Sequence, residues 1–248
     1  YANLKAISKD KKELEELLFH QKEFKNELTD LKKELQVKNI LVQNQKNDKN
    51  EILKETKNQE AEYQKIISQI QIKQAQIQKE IFELEDKLRG EVGDVPRPRP
   101  GALAWPLLGR LTQGYGSTSV TGFYNDAYKF HNGIDIAFEY GAPVRASLDG
   151  AVIASGDNGR YAYGKWLAIR HDNGLTTLYA HLSSKVINIG QNARQGQIIG
   201  YEGSTGFVTG PHLHFTVYST NTFRAENRWF GLLPLGGSVN PLDYLLRF

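Results

Sequence analysis

The chain has 248 residues, a formal net charge of +3, 40% hydrophobic residues and 24% charged residues, which are ordinary values for a soluble protein. Lys and Arg alternate with Asp and Glu instead of forming a basic patch, which argues against nucleic-acid binding. Cysteine is absent, so disulfides and thiolate metal sites are excluded and any transition-metal site must use histidine and carboxylate.

The composition divides the chain into two parts. The first 89 residues contain neither glycine nor proline, whereas all 23 Gly, all 8 Pro, all three Trp and five of the six His follow. We therefore predict a long α-helical coiled coil at residues 1–89, a linker at 90–101 and a globular domain at 102–248.

The start of the chain gives one further expectation. The chain contains no Met, begins at Tyr1 directly in helical sequence, and has no run of the ~20 apolar residues that cross a bilayer. We expect a processed or truncated product, from which any signal peptide or anchor has been removed.

The first 89 residues carry a heptad pattern. Apolar residues repeat in two seams, and Lys, Glu and Gln occupy the other positions, as on the solvated surface of a coiled coil. The seams of the first half are Ile7, Leu14, Leu28, Leu35, Val42 and Leu17, Phe24, Leu31; those of the second half are Tyr63, Ile70, Ile77, Leu84 and Leu53, Ile67, Ile81, Leu88.

The two halves of the coiled coil differ in phase by four residues, and the change falls in the Asn-rich stretch Gln43–Asn50. The shift is either a stutter in one continuous helix or the tip of an antiparallel helical hairpin. The lack of Gly and Pro in this stretch favours the continuous helix. In both cases the apolar stripe requires a partner helix, from this chain or from another.

The linker spans Gly90 to Gly101. Its three prolines at alternate positions stop the helix and favour extended polyproline geometry, which makes a semi-rigid spacer.

The globular segment alternates short β-type runs with Gly and Asn turns, and no window has a sustained helical period. This spacing predicts an all-β antiparallel domain. The predicted strands are Pro143–Ala146, Ala151–Ala154, Trp166–Arg170, Leu175–Tyr179, Gln197–Tyr201 and Leu213–Tyr218.

Histidine and aspartate recur at short spacings in this domain. His131 and Asp135 precede one β-type run, while His212 and His214 lie two apart in a predicted strand and therefore share a face. His131, Asp135 and one of the two strand histidines supply three zinc ligands and leave a fourth position for water, as in catalytic zinc sites. His181, at the end of another strand, is a further candidate.

The two remaining histidines have simpler interpretations. His171 precedes Asp172-Asn173-Gly174 and is expected at the shoulder of a hairpin, and His20 is expected on the coil surface.

Several motifs together carry a family resemblance: His131-Asn-Gly-Ile-Asp135, Gly141-Ala-Pro-Val144, Tyr179-Ala-His-Leu-Ser183, and Gly203-Ser-Thr-Gly206 leading to Thr209-Gly-Pro-His-Leu-His-Phe215. From about Trp105 to Leu245 the chain resembles the lysostaphin/LytM-type zinc peptidoglycan endopeptidases, which are murein DD-endopeptidase-like. The closing Asn240-Pro-Leu-Asp-Tyr-Leu245 resembles the end of that domain.

The resemblance implies a β-sandwich-like metallopeptidase domain at 102–248. It implies that His131, Asp135 and His214 bind Zn²⁺, and that His181 and His212 are catalytic. The implied substrate is the peptide part of peptidoglycan, either a stem-peptide cross-link or an interpeptide bridge.

The coiled coil resembles that of family members that act at the cell wall during growth or division. The expected location is the cell envelope, periplasmic or extracellular. We expect the coil to be a regulatory arm or to dock a membrane complex or a second copy, and the alternative is a passive stalk.

The sequence departs from the family pattern at three places. Ser117 follows Gly114-Tyr-Gly116 where the family often has Arg, and Thr216 stands where Glu often follows the aromatic residue. A polar insertion at residues 220–238 precedes Asn240. These departures affect the choice of substrate and leave the metal site intact. The aromatic segment with Tyr124, Tyr128 and Phe130 is a candidate groove wall.

Two other functions compete with an active endopeptidase. One is a non-catalytic activator of cell-wall amidases with the same fold, but such proteins usually lose zinc ligands. The other is a wall-binding or scaffolding module with a structural zinc, but a closed site would require a fourth protein ligand.

Overall fold

The computed structural model describes residues 2–93, 95–121 and 128–246. Their contacts form two compact units, Tyr1–Ile67 and Ser68–Phe248, so the last turns of the long helix belong to the same unit as the β domain. The domain limits that the composition suggests, at residues 89 and 102, stay a prediction.

Within the described residues, the secondary structure comprises a long helix, a short helix, fifteen strands and a one-turn 3₁₀ helix at Pro241–Asp243. The helices are α1 (Ala2–Gly90) and α2 (Thr118–Thr121). The strands are β1 (Arg110–Gln113), β2 (Gly116–Ser117), β3 (Phe130–His131), β4 (Ile134–Ala137), β5 (Pro143–Arg145), β6 (Gly150–Asp157), β7 (Lys165–Arg170), β8 (Leu175–Ala180), β9 (Ser184–Lys185), β10 (Asn192–Ala193), β11 (Ile198–Tyr201), β12 (Leu213–Ser219), β13 (Arg224–Arg228), β14 (Gly231–Leu235) and β15 (Ser238–Val239).

The long helix α1 is continuous, which agrees with the first of the two predicted alternatives and not with a hairpin. Its sequence has no helix breaker before Gly90, and Lys87 and Arg89 in the last turn interact favourably with the negative end of the helix dipole. Across the phase change, the Gln43 side chain donates to the Asn47 side chain at 3.2 Å. None of the described helices is apolar enough over sufficient length to span a membrane.

In the unit Tyr1–Ile67, the apolar seam residues with described side chains are exposed. Leu14 and Leu17, for example, are 60% and 68% exposed. The partner helix that such a stripe requires therefore stays a prediction.

In the unit Ser68–Phe248, an antiparallel sheet has the strand order β1-β4-β12-β8-β7-β6-β10, and β15 pairs with β12. A smaller sheet has the order β5-β11-β9, and β13 pairs with β14 as a hairpin. The prediction of an antiparallel β domain after a long helix is confirmed. The six predicted strands correspond to β5, β6, β7, β8, β11 and β12, although β12 begins at Leu213 and leaves His212 just before it.

Both faces of the main sheet are buried. Alternate residues of β7 point to opposite faces: Leu167 and Ile169 join one hydrophobic cluster, while Trp166 and Ala168 join another. The second cluster contains Ile77, Ile81 and Leu88 of α1 together with Phe230, Leu233 and Leu235 of the β13–β14 hairpin. The insertion at residues 220–238 thus packs the end of the helix against the sheet.

Polar contacts accompany this packing. The Gln74 amide donates to the Arg160 carbonyl at 2.7 Å, and Arg228 Nε donates to Glu80 at 2.8 Å. At Gly237 a Cβ would collide with the Leu88 carbonyl and the Val92 side chain, so glycine is required for the close approach of the helix end.

The prediction of a fully solvated polar surface on the coil is wrong at Gln74 and Glu85. They are only 3% and 2% exposed. Both lie on the face of α1 that also carries Ile77, Ile81 and Leu88, and the β domain covers that face.

Candidate metal and catalytic site

Neighbouring strands bring His131, Asp135 and His214 together. His131 ends β3, Asp135 lies in β4, and His214 lies in β12 directly opposite Asp135. A Cβ at Gly133 would collide with the Phe215 carbonyl, so the glycine between the two motif residues lets β12 approach. The strand pairing therefore selects His214 of the two strand histidines.

The three side chains form a compact group of donor atoms. Asp135 Oδ1 lies 3.1 Å from His131 Nε2 and 2.8 Å from His214 Nδ1, and the two nitrogens are 3.0 Å apart. Tetrahedral zinc ligands at 2.0–2.2 Å lie about 3.3–3.6 Å apart, so a small outward movement accommodates the ion. Two imidazoles and one carboxylate are zinc-type ligands, and these residues fit the metal.

The other ring nitrogens of the two histidines have oxygen partners that fix the ring orientations. His131 Nδ1 lies 2.8 Å from the Gly114 carbonyl, and His214 Nε2 lies 2.9 Å from Thr216 Oγ1. Such contacts orient metal-binding histidines and select the tautomer. Thr216, where the resemblance leads one to expect Glu, thus supplies a hydroxyl that holds His214.

Burial and neighbouring charges shift the pKa values of this group in opposite directions. Burial alone raises the pKa of Asp135, but the charge of His131 and hydrogen bonds from His131 and His214 hold that pKa well below its usual value. Burial lowers the pKa of His214, although Asp135 partly offsets the effect. The group therefore favours an ionised Asp135 carboxylate beside a neutral His214 imidazole, which is the state in which these two residues bind a metal.

His181 and His212 lie beside this group. The ring centroid of His181 is 4.9 Å from that of His212 and 5.8 Å from that of His214. His181 Nδ1 is 2.8 Å from the Thr205 carbonyl and His212 Nδ1 is 2.9 Å from the Gly210 carbonyl. Because carbonyls accept hydrogen bonds, both rings carry the proton on Nδ1 and keep the Nε2 lone pair for another partner.

The backbone at His181 is unusual. It has φ of +60°, in the left-handed region that non-glycine residues seldom adopt. The residue directly follows β8, and such outliers concentrate at functional sites. Burial, followed by the charges of His212 and His214, lowers the pKa of His181 to about 3, so this imidazole is neutral at neutral pH.

A cleft of about 430 Å³ contains these side chains. One wall is the β domain, including Tyr128 and Phe130 of the predicted groove wall. Tyr124 of that prediction lies outside the described residues. The other wall is the last turns of α1, including Gln78, Phe82 and Arg89.

A buried polar network, which no pattern in the sequence predicted, lies at the base of the helical wall. The Asn132 amide donates to both Glu85 oxygens, at 2.8 and 2.7 Å, and the Tyr218 hydroxyl donates to Glu85 Oε1 at 3.0 Å. Asn132 also contacts the Tyr163 hydroxyl at 2.6 Å. Glu85 lies four residues after Ile81 and three before Leu88, and this helical spacing indicates that it shares their buried face.

The burial of Glu85 leads us to predict that the free energy of unfolding depends on pH. Burial raises the pKa of Glu85 to about 7, against hydrogen bonds from Asn132 and Tyr218. In the unfolded chain Glu85 ionises near its ordinary value of 4.5. Its contribution to stability is therefore complete below pH 4.5 and is lost as the pH rises to about 7. We expect Glu85→Gln to gain stability over the wild type across this interval, by at most about 3 kcal/mol.

Denaturant unfolding of the full chain at a series of pH values measures this difference. Glu83→Gln, which changes an exposed glutamate of the same helix, is the matched control and is expected to have no such dependence. A difference between Glu85→Gln and wild type that stays constant from pH 4.5 to 8 would contradict the prediction.

Comparison with known proteins places the site in a recognised domain. Residues 129–225 match the model described as Peptidase family M23. A segment of 88 residues, 36% of this chain and 20% of the relative, is 51% identical to the DD-carboxypeptidase/endopeptidase Mpg of Neisseria meningitidis. The match therefore spans about one fifth of the length of that curated relative.

Solved structures give similar matches. A zinc-containing peptidase from Vibrio cholerae is 32% identical, with 61% of this chain and 40% of that chain covered and a TM-score of 0.43. The catalytic domain of the antimicrobial peptidase lysostaphin from Staphylococcus simulans is 30% identical, with 45% and 81% covered and a TM-score of 0.41.

Proposed function

Because the chain belongs to peptidase family M23, we propose that it is a zinc-dependent endopeptidase that hydrolyses peptide bonds in peptidoglycan. The observation that supports this most strongly is the convergence of a three-residue donor group and two further histidines in one cleft. Endopeptidase activity also agrees with the name of the relative Mpg, a DD-carboxypeptidase/endopeptidase.

In this proposal His131, Asp135 and His214 hold the zinc ion. A zinc ion bound there supplies Lewis acidity to the scissile carbonyl and to the attacking water. The protein fixes the three donors through strand pairing and through the Gly114 and Thr216 contacts of the two rings. The ligand set has one negative charge, so the loaded site stays positive and favours the developing oxyanion.

His181 and His212 act on protons. Each ring donates from Nδ1 to a backbone carbonyl, which leaves Nε2 able to accept a proton from the attacking water or, once protonated, to donate to the oxyanion or leaving amine. The low pKa of His181 keeps this ring neutral before reaction. The 4.9 Å ring separation allows both histidines to serve one reacting centre.

We place the protein in the cell envelope, periplasmic or extracellular, because its proposed substrate is there. The coil is proposed to regulate the enzyme or to dock a membrane complex or a second copy. Faster turnover by residues 68–248 than by the full chain would support restraint by residues 1–67. Equal rates would contradict that restraint and leave docking as the proposed role of the coil.

The alternative, a non-catalytic amidase activator, predicts no turnover. The complete set of three donors and two histidines favours the endopeptidase, because an activator has no need of them. A structural zinc in a scaffolding module is disfavoured, because closed structural sites have four protein ligands and the candidate group contains three among the described residues.

The test is metal analysis combined with cleavage of purified sacculi by the zinc-loaded full chain. We expect one zinc per chain, release of peptide fragments, and loss of both in His214→Ala. His20→Ala, which removes an exposed coil histidine, is the matched control. Zinc binding without cleavage would favour the activator, and full zinc occupancy in His214→Ala would refute the ligand assignment.

A further inference from the structure

Glu85 joins the long helix to the residue that follows the first proposed zinc ligand. It lies on α1, outside the segment 129–225 that matches the family, and it is only 2% exposed. Its two oxygens accept hydrogen bonds from the Asn132 amide at 2.8 and 2.7 Å. Asn132 directly follows His131 in the chain, so this contact from the helix restrains the backbone next to His131.

Tyr163 connects the same contact to two more histidines of the cleft. Its hydroxyl accepts a hydrogen bond from the Asn132 amide at 2.6 Å. Its ring centroid lies 5.6 Å from that of His214, and its backbone carbonyl accepts a hydrogen bond from the His181 backbone amide at 3.0 Å. Tyr163 therefore packs against a proposed zinc ligand and holds a proposed acid–base residue.

Tyr218 completes this group of side chains. Its hydroxyl donates to Glu85 Oε1 at 3.0 Å, and it lies in β12, the strand that carries His214. All four members of the group, Glu85, Asn132, Tyr163 and Tyr218, are at most 7% exposed. A donor that loses its acceptor at such a buried position stays unsatisfied, so each hydrogen bond restricts where the other members can lie. Loss of the Glu85 carboxylate would deprive both the Tyr218 hydroxyl and the Asn132 amide of this acceptor.

We propose that Glu85 is a positioning residue of the metal site, which fixes the orientations of His131 and His214 through Asn132 and Tyr163. This role rests on the proposed function, in which the two histidines bind zinc. Partners that hold metal ligands in place typically change metal affinity or activity by about 10–100-fold. The end of α1 is then part of the metal site and not a separate arm.

The test is the zinc dissociation constant of the full chain, measured by competition with a chromogenic chelator. Glu85→Ala is expected to weaken zinc binding about 10–100-fold. Glu85→Gln retains an acceptor oxygen and the shape of the side chain, and it is expected to restore most of the affinity. Ile81→Ala is the matched control, because it removes a buried side chain from the same face of α1 that makes no hydrogen bond. It is expected to lower stability and to leave the zinc affinity unchanged.

Asn132→Ala removes the other side of the contact and keeps the test valid if Glu85→Ala unfolds. It is expected to weaken zinc binding similarly, and the double variant is expected to lose little more, because both changes remove one interaction. Unchanged zinc affinity in either folded single variant, or an equal loss in Ile81→Ala, overturns the role of Glu85. Cleavage of sacculi is measured on the same preparations. Zinc binding by wild type without cleavage refutes the proposed function, while the zinc affinities still decide the role of Glu85; a wild type that binds no zinc overturns both.

Discussion

Replacing His181 or His212 is expected to reduce peptidoglycan turnover by about 10²–10⁴-fold while zinc stays bound, as is typical when a positioned acid–base group is lost. The physical reason is that both rings line the cleft and each is held through Nδ1 by a backbone carbonyl, which leaves Nε2 for another partner. Neither ring belongs to the compact donor group of His131, Asp135 and His214.

The residue that replaces His181 must tolerate a left-handed backbone conformation. Because φ is +60° there, His181→Asn is a better substitution than His181→Ala, since Asn tolerates the left-handed region more readily. His212→Ala needs no such precaution. Turnover of muropeptide dimers and zinc content are measured on the same preparations, with His20→Ala as control. Retention of wild-type turnover in either variant would remove that histidine from the mechanism, and loss of zinc would assign it to the metal site.

Removing residues 1–101 is expected to destabilise the β domain severely, whereas removing residues 1–67 is not. Ile77, Ile81 and Leu88 are at most 7% exposed. Each buried aliphatic side chain contributes about 1.5–3 kcal/mol, so their joint loss costs roughly 5–9 kcal/mol as an upper estimate. The total free energy of unfolding of a typical domain is about 5–15 kcal/mol. Removal of the helix also exposes the partners of Glu85.

Denaturant midpoints of fragments 68–248 and 102–248, compared with the full chain, measure this effect. Within the full chain, Ile81→Ala is expected to cost about 2–5 kcal/mol, while Ile66→Ala, at a 45% exposed position of the same helix, costs much less. Equal midpoints for the two fragments would support the boundary suggested by composition, with a domain that folds from residue 102. A large difference would move that boundary into α1.

The sequence by itself determined the two-part organisation, the helix and the main strands, because these depend on local patterns. The absence of Gly and Pro before Gly90 predicts one uninterrupted helical segment. Alternating β-type runs between turns predict β7 and β8 to within one residue at each end, and four of the eight residues of β6. The spacing of His131 and Asp135 likewise identified two of the three residues in the donor group.

Other features depended on tertiary structure, because they join residues far apart in the chain. Residue patterns left His212 and His214 as alternatives, and the register of β12 on β4 placed His214 opposite Asp135. The heptad made Glu85 appear as one more solvated charge, yet the β13–β14 hairpin and the main sheet bury the face on which it lies. The stacking of Arg89 on Phe130 follows from the same packing. Local periodicity specifies which face of a helix is apolar, whereas only the packed structure decides what covers that face and which charges enter the cleft.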